Sequence, residues 1–208
     1  MPRSILVVAT RYDVGTYYTH SWAKTLQEDS MRKGHNCILL DAESLCHSGS
    51  TLREAIERVD YVIFYGHGLR DQWTAMPSSS SAGGVAERPL IDTNNVSVLD
   101  GRQVYAGCCH SLTQLGQSFV TICSGEYVGY SQRFQFETTN HQDFGDVVNT
   151  SVMAYVAGDS ASKVVTDLAN DWDRLRLDFV AGRLRKQPNA IMAAQCADDN
   201  RQRVGSLP

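Results

Sequence analysis

The chain has 208 residues, of which 42% are apolar and 20% are charged, so it can bury a sizeable core and is not disordered. Nineteen basic and 23 acidic residues leave a formal net charge of −4. Proteins that bind nucleic acid or an anionic membrane over their whole surface are usually basic, so we expect neither partner. No apolar run is long enough to span a membrane, and residues 5–9 are too few for a signal peptide. The sequence therefore predicts a cytoplasmic protein.

Six cysteines lie at positions 37, 46, 108, 109, 123 and 196, and no two of them form a Cys-x-x-Cys pair. Cysteine pairs at that spacing are typical of structural zinc sites. Cytoplasmic thiols stay mostly reduced. We therefore expect free thiols and no metal site.

The first half of the chain alternates apolar runs with helical patterns. Uninterrupted apolar and β-branched runs predict buried strands at residues 5–10, 37–40 and 59–65. Helical spacing of apolar residues predicts helices at 16–33 and 50–58. Each predicted helix therefore connects two predicted strands.

The second half begins with residues 69–89, which show no periodicity and contain a serine- and glycine-rich run at 78–84. A segment of that kind predicts a long loop that is mobile or functional. Further predicted elements follow in order: an extended piece and a turn or helix at 90–100, a strand at 103–107, a helix at 112–122, a strand at 127–131, and helices from about 143 to 184 with a break near Gly158. The polar tail after about residue 186 is predicted to be loose.

Strands that alternate with helices predict an α/β fold with a mostly parallel central sheet and helices on both faces. No repeat or linker divides the sequence, so residues 1–208 are predicted to form a single domain. In open sheets of this kind, binding and catalytic sites form at the carboxyl ends of strands. The residues that directly follow each strand are therefore the first candidates for function.

Two chemical motifs follow predicted strands directly: Gly66-His67-Gly68 and Cys108-Cys109-His110. If the two strands are neighbours, His67 and the cysteines approach each other at one edge of the sheet. A cysteine nucleophile needs a nearby base or cation, and a histidine can supply it and later protonate the leaving group. Backbone amides of the turn after Cys109, and of Gly66 or Gly68, could stabilise an oxyanion. Cysteine is also among the most buried residue types, so simple packing is the alternative.

Several stretches resemble the caspase-like cysteine peptidase clan. Residues 61–68 resemble its histidine strand, and residues 103–111 resemble its cysteine strand. Cys109-His110-Ser111 is similar to the metacaspase pattern. Residues 119–131 and 144–177 are similar to later elements of the CHAT domain, the branch of the clan associated with tetratricopeptide repeats. In order along the chain, the resemblance covers most of residues 1–184.

The resemblance implies a caspase-hemoglobinase-like fold and a cysteine endopeptidase that cleaves a protein or peptide substrate through an acyl-thioester, without a cofactor. It implies that Cys109, rather than Cys108, is the nucleophile and that His67 is the general base and acid. The amides of Gly68 and Cys109 would donate to the oxyanion. A regulated effector protease is the role that this family suggests, with any regulator a separate protein or a bound ligand.

The chain departs from the metacaspase pattern at Gly107, where metacaspases have an aspartate that lines a pocket for a basic substrate residue. Another acid could replace that aspartate, and arginines would instead receive an acidic residue. The candidates are Asp71, Asp92 and Glu126 for the acid, and Arg70 and Arg133 for the arginine.

Two alternative functions belong to other classes. The first is a catalytically silent caspase-like interaction module, which the geometry of Cys109 and His67 would distinguish from an enzyme. The second is a flavodoxin-like or Rossmann-like binder of a small ligand. The residues after the first strand, Arg11 to Gly15, lack the Gly-x-Gly-x-x-Gly turn of a dinucleotide site, which disfavours the second alternative.

Overall fold

A computed structural model of the chain describes residues 1–41, 49–79 and 85–208, and the side chains outside 42–50 and 76–88. The strands are β1 (Ser4–Ala9), β2 (Asn36–Asp41), β3 (Tyr61–Tyr65), β4 (Gln72–Ser79), β5 (Val85–Asp92), β6 (Gln103–Gly107), β7 (Tyr127–Tyr130) and β8 (Val204–Leu207). The α-helices are α1 (Val14–Arg32), α2 (Gly49–Ile56), α3 (Gln114–Ile122), α4 (His141–Ala157), α5 (Ala161–Val180) and α6 (Ala190–Arg203). Short 3-10 helices span Val96–Leu99 and Thr138–Asn140.

Six strands form one sheet in the order β2-β1-β3-β6-β7-β8. Strands β2, β1, β3, β6 and β7 are parallel to one another, and β8 is antiparallel to β7. Strands β3 and β6 are direct neighbours, with Tyr65 opposite Gly107. The strands that precede His67 and Cys108 are therefore neighbours, as the approach of the two chemical motifs requires.

The strands β1, β3, β6 and β7 are buried on both faces, which explains the uninterrupted apolar runs in their sequence. The strand predicted at residues 37–40 is present as β2, but the prediction that it is buried is wrong, because β2 lies at the edge of the sheet and Ile38 is 40% exposed. In β1, Ile5 and Val7 face the cluster that includes residues of α1, α4, α5 and α6. Leu6 and Val8 face the opposite cluster, to which α2, α3 and the β4–β5 hairpin contribute. Side chains of a strand alternate between its two faces, so one apolar run fills both core layers. The predicted fold class, a mostly parallel sheet with helices on both faces, is confirmed.

The helix boundaries follow from local capping groups. The Asp13 carboxylate accepts from the Thr16 backbone N–H at 2.8 Å and begins α1. Gly158, at φ 109°, ends α4, and the Ser160 hydroxyl accepts from the Lys163 N–H to begin α5. The predicted break near Gly158 is therefore confirmed. None of the helices in the described part of the chain is both long and apolar enough to span a membrane.

The prediction of a long loop over residues 69–89 is wrong, because most of the segment is the antiparallel hairpin of β4 and β5. Two register shifts, at Trp73/Thr74 and Thr74/Met76, interrupt the strict alternation that would have marked the strand. Trp73 is only 1% exposed, stacks on Phe64 at 4.8 Å between ring centroids, and donates from Nε1 to the Tyr127 hydroxyl. Trp73 therefore anchors the hairpin to the sheet. Residues 80–84 of the serine- and glycine-rich run lie outside the described residues.

The prediction of a loose tail after residue 186 is also wrong, since α6 and β8 form there. The helix packs through alanines, of which Ala193 and Ala197 are fully buried, and β8 pairs with the edge of β7. A stripe of alanines in a polar helix gives little hydrophobic periodicity. A four-residue strand with two polar or glycine positions is equally weak as a local signal. The tertiary contacts, rather than local pattern, order this end of the chain.

Candidate active site

The two chemical motifs touch each other at the carboxyl edge of the sheet. A Cβ atom at Gly68 would lie 2.5 Å from the Cys109 carbonyl oxygen and 2.7 Å from Cys108 Sγ. No side chain fits in that space, so the absence of a Cβ at Gly68 allows the two turns to approach. The backbone after β3 therefore packs directly against the backbone after β6.

Cys109 is half-buried, and its thiol donates to the Phe134 carbonyl oxygen at 3.6 Å. Burial raises the pKa of this thiol above its ordinary value. The Phe134 backbone and the positive charges of Arg133 and Arg203 oppose this rise in pKa without cancelling it. The thiol is therefore protonated at neutral pH, and a base must remove its proton before it can act as a nucleophile.

His67 is the base that the sequence suggests, and an acidic side chain holds its imidazole. The His67 Nε2 donates to the Asp13 carboxylate at 2.7 Å, with 42% of the His67 side chain exposed. That bond occupies Nε2 and leaves Nδ1 as the nitrogen that can accept a proton. The His67 backbone is fixed as well, because its carbonyl accepts from both the N–H and the hydroxyl of Thr74 at 3.0 Å.

His67 and Cys109 are not hydrogen-bonded to each other within the described structure, since each side chain has a different partner. Catalytic hydrogen bonds are often long without a substrate and shorten in its complex. The arrangement is thus an acid–histidine pair on one turn and a protonated, half-buried thiol on the turn that packs against it.

Asp13 is the functional residue that sequence reasoning missed. One carboxylate oxygen accepts from the Thr16 N–H and hydroxyl and caps α1, while the other binds His67. Burial raises the pKa of Asp13, but hydrogen bonds from Thr16 and His67 outweigh it and leave the pKa below the ordinary value. The carboxylate is therefore ionised at neutral pH. Asp13 and Thr16 form a capping box, which was the available sequence signal, but it indicates a helix start and says nothing of His67.

The turn after β6 is rigid. Cys108 is 1% exposed in the apolar core, and burial raises the pKa of its thiol well above the ordinary value. His110 adopts a left-handed backbone conformation with φ 56°, which turns the chain sharply after Cys109. The buried Ser111 hydroxyl donates to the Ala106 and Cys108 carbonyls and accepts from the Tyr130 N–H. Cys109 is therefore the accessible thiol of the pair, and Cys108 is a core residue.

Of the other proposed site residues, Gly66 and Arg133 lie at or near the two turns, and the described part of the chain shows no contact of Asp71 with them. Gly66 packs against Thr10, where a Cβ would lie 2.5 Å from the Thr10 hydroxyl, so it belongs to the same edge of the sheet. Arg133 is exposed and lies close enough to lower the pKa of Cys109. Asp71 lies at the base of the hairpin, where its carbonyl accepts from the Thr93 N–H. The structure thus brings Arg133 toward the thiol and gives no contact that brings Asp71 there.

Glu126 is excluded as a pocket acid at this edge. It precedes β7, at the opposite end of the parallel sheet, and its carboxylate accepts from the Ala161 N–H at 3.1 Å. Asp92 caps a turn, accepting from the backbone N–H groups of Asn94 and Asn95. Within residues 1–41, 49–79 and 85–208, no group of three or more His, Cys, Asp or Glu side chains is placed to hold a metal ion.

No family model matches the sequence, and no curated protein matches it. Among solved structures, the chain is similar to the Arg-specific cysteine proteinase gingipain R, with 8% sequence identity and a TM-score of 0.56. The similarity covers 97% of this chain and 45% of the gingipain chain, so the present chain spans less than half the length of that proteinase. Such low identity supports a statement about the fold alone. The chain has the caspase-hemoglobinase fold, which is the fold of caspase-like cysteine proteinases.

Proposed function

We propose that the protein is a cysteine endopeptidase of the CHAT or metacaspase type, in which Cys109 is the nucleophile and His67 the general base and acid. The observation that carries the proposal is the contact between the Gly66–Gly68 turn and the Cys108–His110 turn, together with the hydrogen bond of His67 to Asp13. The fold adds a weaker argument, since it is one that cysteine proteinases use.

The proposed reaction begins when a substrate peptide places its carbonyl carbon against Cys109. His67 Nδ1 takes the thiol proton, and the Asp13 carboxylate stabilises the resulting imidazolium through Nε2. Sulfur adds to the carbonyl, and the oxyanion receives hydrogen bonds from the amides of Gly68 and Cys109. The C–N bond then breaks, the amine leaves with the proton from His67, and an acyl-thioester remains. Water, deprotonated by His67, hydrolyses the thioester and regenerates the thiol.

Burial favours this general-base route over a preformed thiolate–imidazolium pair. The raised pKa of Cys109 means that little thiolate exists at neutral pH before substrate binds. The nucleophile would therefore be formed in the substrate complex, where the carbonyl carbon and the imidazole are both in reach. This behaviour suits a regulated effector protease, which must stay inactive until its substrate or a trigger engages the site.

Arg133 is the substrate-binding group that we propose. The cations whose charges act on Cys109 are Arg133 and Arg203, and the position two residues before the nucleophile is Gly107 rather than an acid. These charges favour an acidic substrate side chain near the cleaved bond, in contrast to the arginine named for gingipain R. Asp71 is the alternative group and would favour a basic side chain, so libraries of acidic and basic peptides separate the two.

The test is labelling of the intact protein by a cysteine-directed electrophilic peptide, with the modified cysteine mapped by mass spectrometry. We expect selective modification of Cys109 that is lost in His67→Ala, and hydrolysis of a peptide library that is lost in both Cys109→Ala and His67→Ala. Cys108→Ala is the matched control and keeps both signals, because the Cys108 thiol is buried on the other side of the turn.

A catalytically silent interaction module is the second candidate. The raised pKa of Cys109 and its hydrogen bond to Phe134 rather than to His67 favour this candidate. Equal and slow labelling of several cysteines, unchanged in His67→Ala, would support the interaction module and contradict the protease.

The proposal also includes a protein substrate, a separate regulatory protein and a cytoplasmic location. Affinity capture with the Cys109→Ala variant, followed by mass spectrometry, tests for the substrate and the regulatory protein.

A further inference from the structure

Residues 131–137, which follow β7, lie between the thiol and the C-terminal part of the chain; we call them the 131–137 segment. On one side, the Gln132 carbonyl accepts from the His110 N–H at 2.8 Å, and the Phe134 carbonyl accepts from the Cys109 thiol. The carbonyls of Gln132 and Phe134 therefore face the turn that carries Cys109. This side of the segment sets the immediate surroundings of the thiol.

Three odd-numbered residues of the segment, at positions 131, 133 and 135, bind the end of α6. The Ser131 N–H and hydroxyl both donate to the Arg203 carbonyl, at 2.8 and 3.1 Å. The Arg203 guanidinium donates to the Arg133 carbonyl at 2.9 Å. The Asn200 side chain makes two bonds to Gln135, accepting from its N–H at 3.0 Å and donating to its carbonyl at 2.6 Å. One side of the segment is thus held by α6 while the other faces the thiol.

Asn200 is the buried centre of this attachment. It is fully buried, and its oxygen and nitrogen both bond to the backbone of one residue, as a neighbouring strand would. A buried amide is costly unless its polar groups are satisfied, and here the Gln135 backbone satisfies both arms. Both hydrogen bonds of the Asn200 side chain therefore go to the 131–137 segment, and neither goes to α6 itself.

We propose that Asn200 is a positioning residue for Cys109: by binding both polar groups of the Gln135 backbone, it holds the neighbouring Phe134 carbonyl against the thiol. The inference rests on the proposed function only for its effect on peptide hydrolysis. Its effect on the thiol itself is independent of whether the protein is a protease. The C-terminal helix, which contributes no residue to the proposed dyad, thereby sets the environment of the nucleophile.

Loss of the clamp has a definite direction. The Phe134 carbonyl of the 131–137 segment contacts the thiol, and burial raises the pKa of Cys109 by more than Phe134 and Arg133 lower it. In Asn200→Ala the segment is released, water reaches the thiol, and alkylation by iodoacetamide accelerates. We expect the pH midpoint of alkylation to move to lower pH and the rate at pH 7 to rise severalfold, because a less buried thiol ionises more readily. Peptide hydrolysis, where present, falls through kcat, since the reacting groups are no longer held.

The matched control is Gln202→Ala, which removes an exposed side-chain amide of the same helix that donates to the Asp198 carboxylate. Alkylation of Cys109 is followed by mass spectrometry across pH in the wild type and both variants, after circular dichroism shows that each is folded. An alkylation profile of folded Asn200→Ala that coincides with that of Gln202→Ala overturns the proposal. A faster, acid-shifted profile in Asn200→Ala alone supports it.

A second measurement uses the unaltered chain, because Asn200 is buried and its loss could unfold the protein. Hydrogen exchange of the wild type reports on the Gln135 amide, which we expect to be protected as strongly as the amides in the middle of α6. Rapid exchange at Gln135 beside a protected α6 contradicts the clamp. If the wild type hydrolyses no peptide, but its Gln135 amide is protected and Asn200→Ala shows the shifted alkylation profile, the proposed protease function is contradicted and the positioning role of Asn200 is supported.

Discussion

At the scale of single residues, environment assigns different roles to chemically ordinary side chains. Cys108 and Cys109 are adjacent in sequence, yet Cys108 is 1% exposed in the core and Cys109 is half-buried beside the glycine turn. Asp13 carries two bonds of different purpose, because one oxygen caps α1 and the other orients His67. A substitution that removes the charge of Asp13 but preserves its N-cap hydrogen bond tests the two roles separately.

For the proposed peptide hydrolysis, we expect Asp13→Asn to lower kcat by about a hundredfold, a typical loss when an acid–base group is misoriented. The fold should survive, because asparagine is as good an N-cap as aspartate. Thr16→Ala is the matched control: it removes hydroxyl bonds of the capping box and leaves the His67–Asp13 pair in place. Steady-state kinetics measures the loss of kcat, and thermal unfolding shows whether the fold is retained. Wild-type kcat in Asp13→Asn would show that Asp13 is only a helix cap.

At the scale of elements, the C-terminal α6 and β8 complete the structure around the site. Strand β8 covers the edge of β7, which would otherwise expose unpaired backbone groups. Helix α6 packs on α5 and holds the 131–137 segment through Asn200 and Arg203. Asn140 adds a further link, because its amide donates to the Pro188 carbonyl at 2.8 Å.

We therefore expect a chain truncated after Lys186 to lose its cooperative thermal unfolding and to bind a hydrophobic dye. Truncation removes the buried alanines of α6 and exposes the β7 edge, so both packing and pairing are lost. A shorter truncation after Arg203, which removes β8 and keeps α6, should unfold cooperatively at a lower temperature than the full chain. Unchanged melting of the chain ending at Lys186 would mean that this part adds nothing to stability.

At the scale of the whole molecule, hydrogen-bonded carboxylates make stability depend on pH. Burial raises the pKa of Glu137, but hydrogen bonds from Asn189, Thr139 and Asn140 outweigh it and hold the pKa below the ordinary 4.5. A carboxylate whose pKa is lower in the folded state stabilises that state above its ordinary pKa. That contribution is lost as the pH falls through the depressed value. The pKa of Asp13 is depressed for a similar reason.

We expect the free energy of unfolding to fall between about pH 5 and pH 3, and to fall less steeply in Glu137→Gln, which has no charge to lose. Urea unfolding at several pH values in this range gives the free energy of unfolding of the wild type and of Glu137→Gln. Glu28→Gln serves as the control, because Glu28 lies on the outer part of α1 and has no such network. Parallel pH dependences of the wild type and Glu137→Gln would contradict a role for the ionised Glu137 network.

Local pattern accounts for much of what could be predicted here. Strands β1, β3, β6 and β7 are apolar runs because both faces of the sheet are buried, and Ser160 and Gly158 mark helix ends through backbone capping. The positions of His67 and Cys109 after two strands follow from the same patterns. The β4–β5 hairpin was missed because register shifts interrupt its alternation, and α6 because alanines give a weak periodicity.

The sequence by itself determined the order of most elements, the alternation that makes the sheet parallel, and the placement of His67 and Cys109 at strand ends. It could do so because these features depend on neighbouring residues. Only the tertiary structure decided that Asp13 holds His67 and that Asn200 holds Gln135. These partners lie 54 and 65 positions apart in the chain, and no local pattern encodes a contact over such a separation. Their meeting depends on which strands are neighbours and on how α6 packs, which are properties of the folded molecule as a whole.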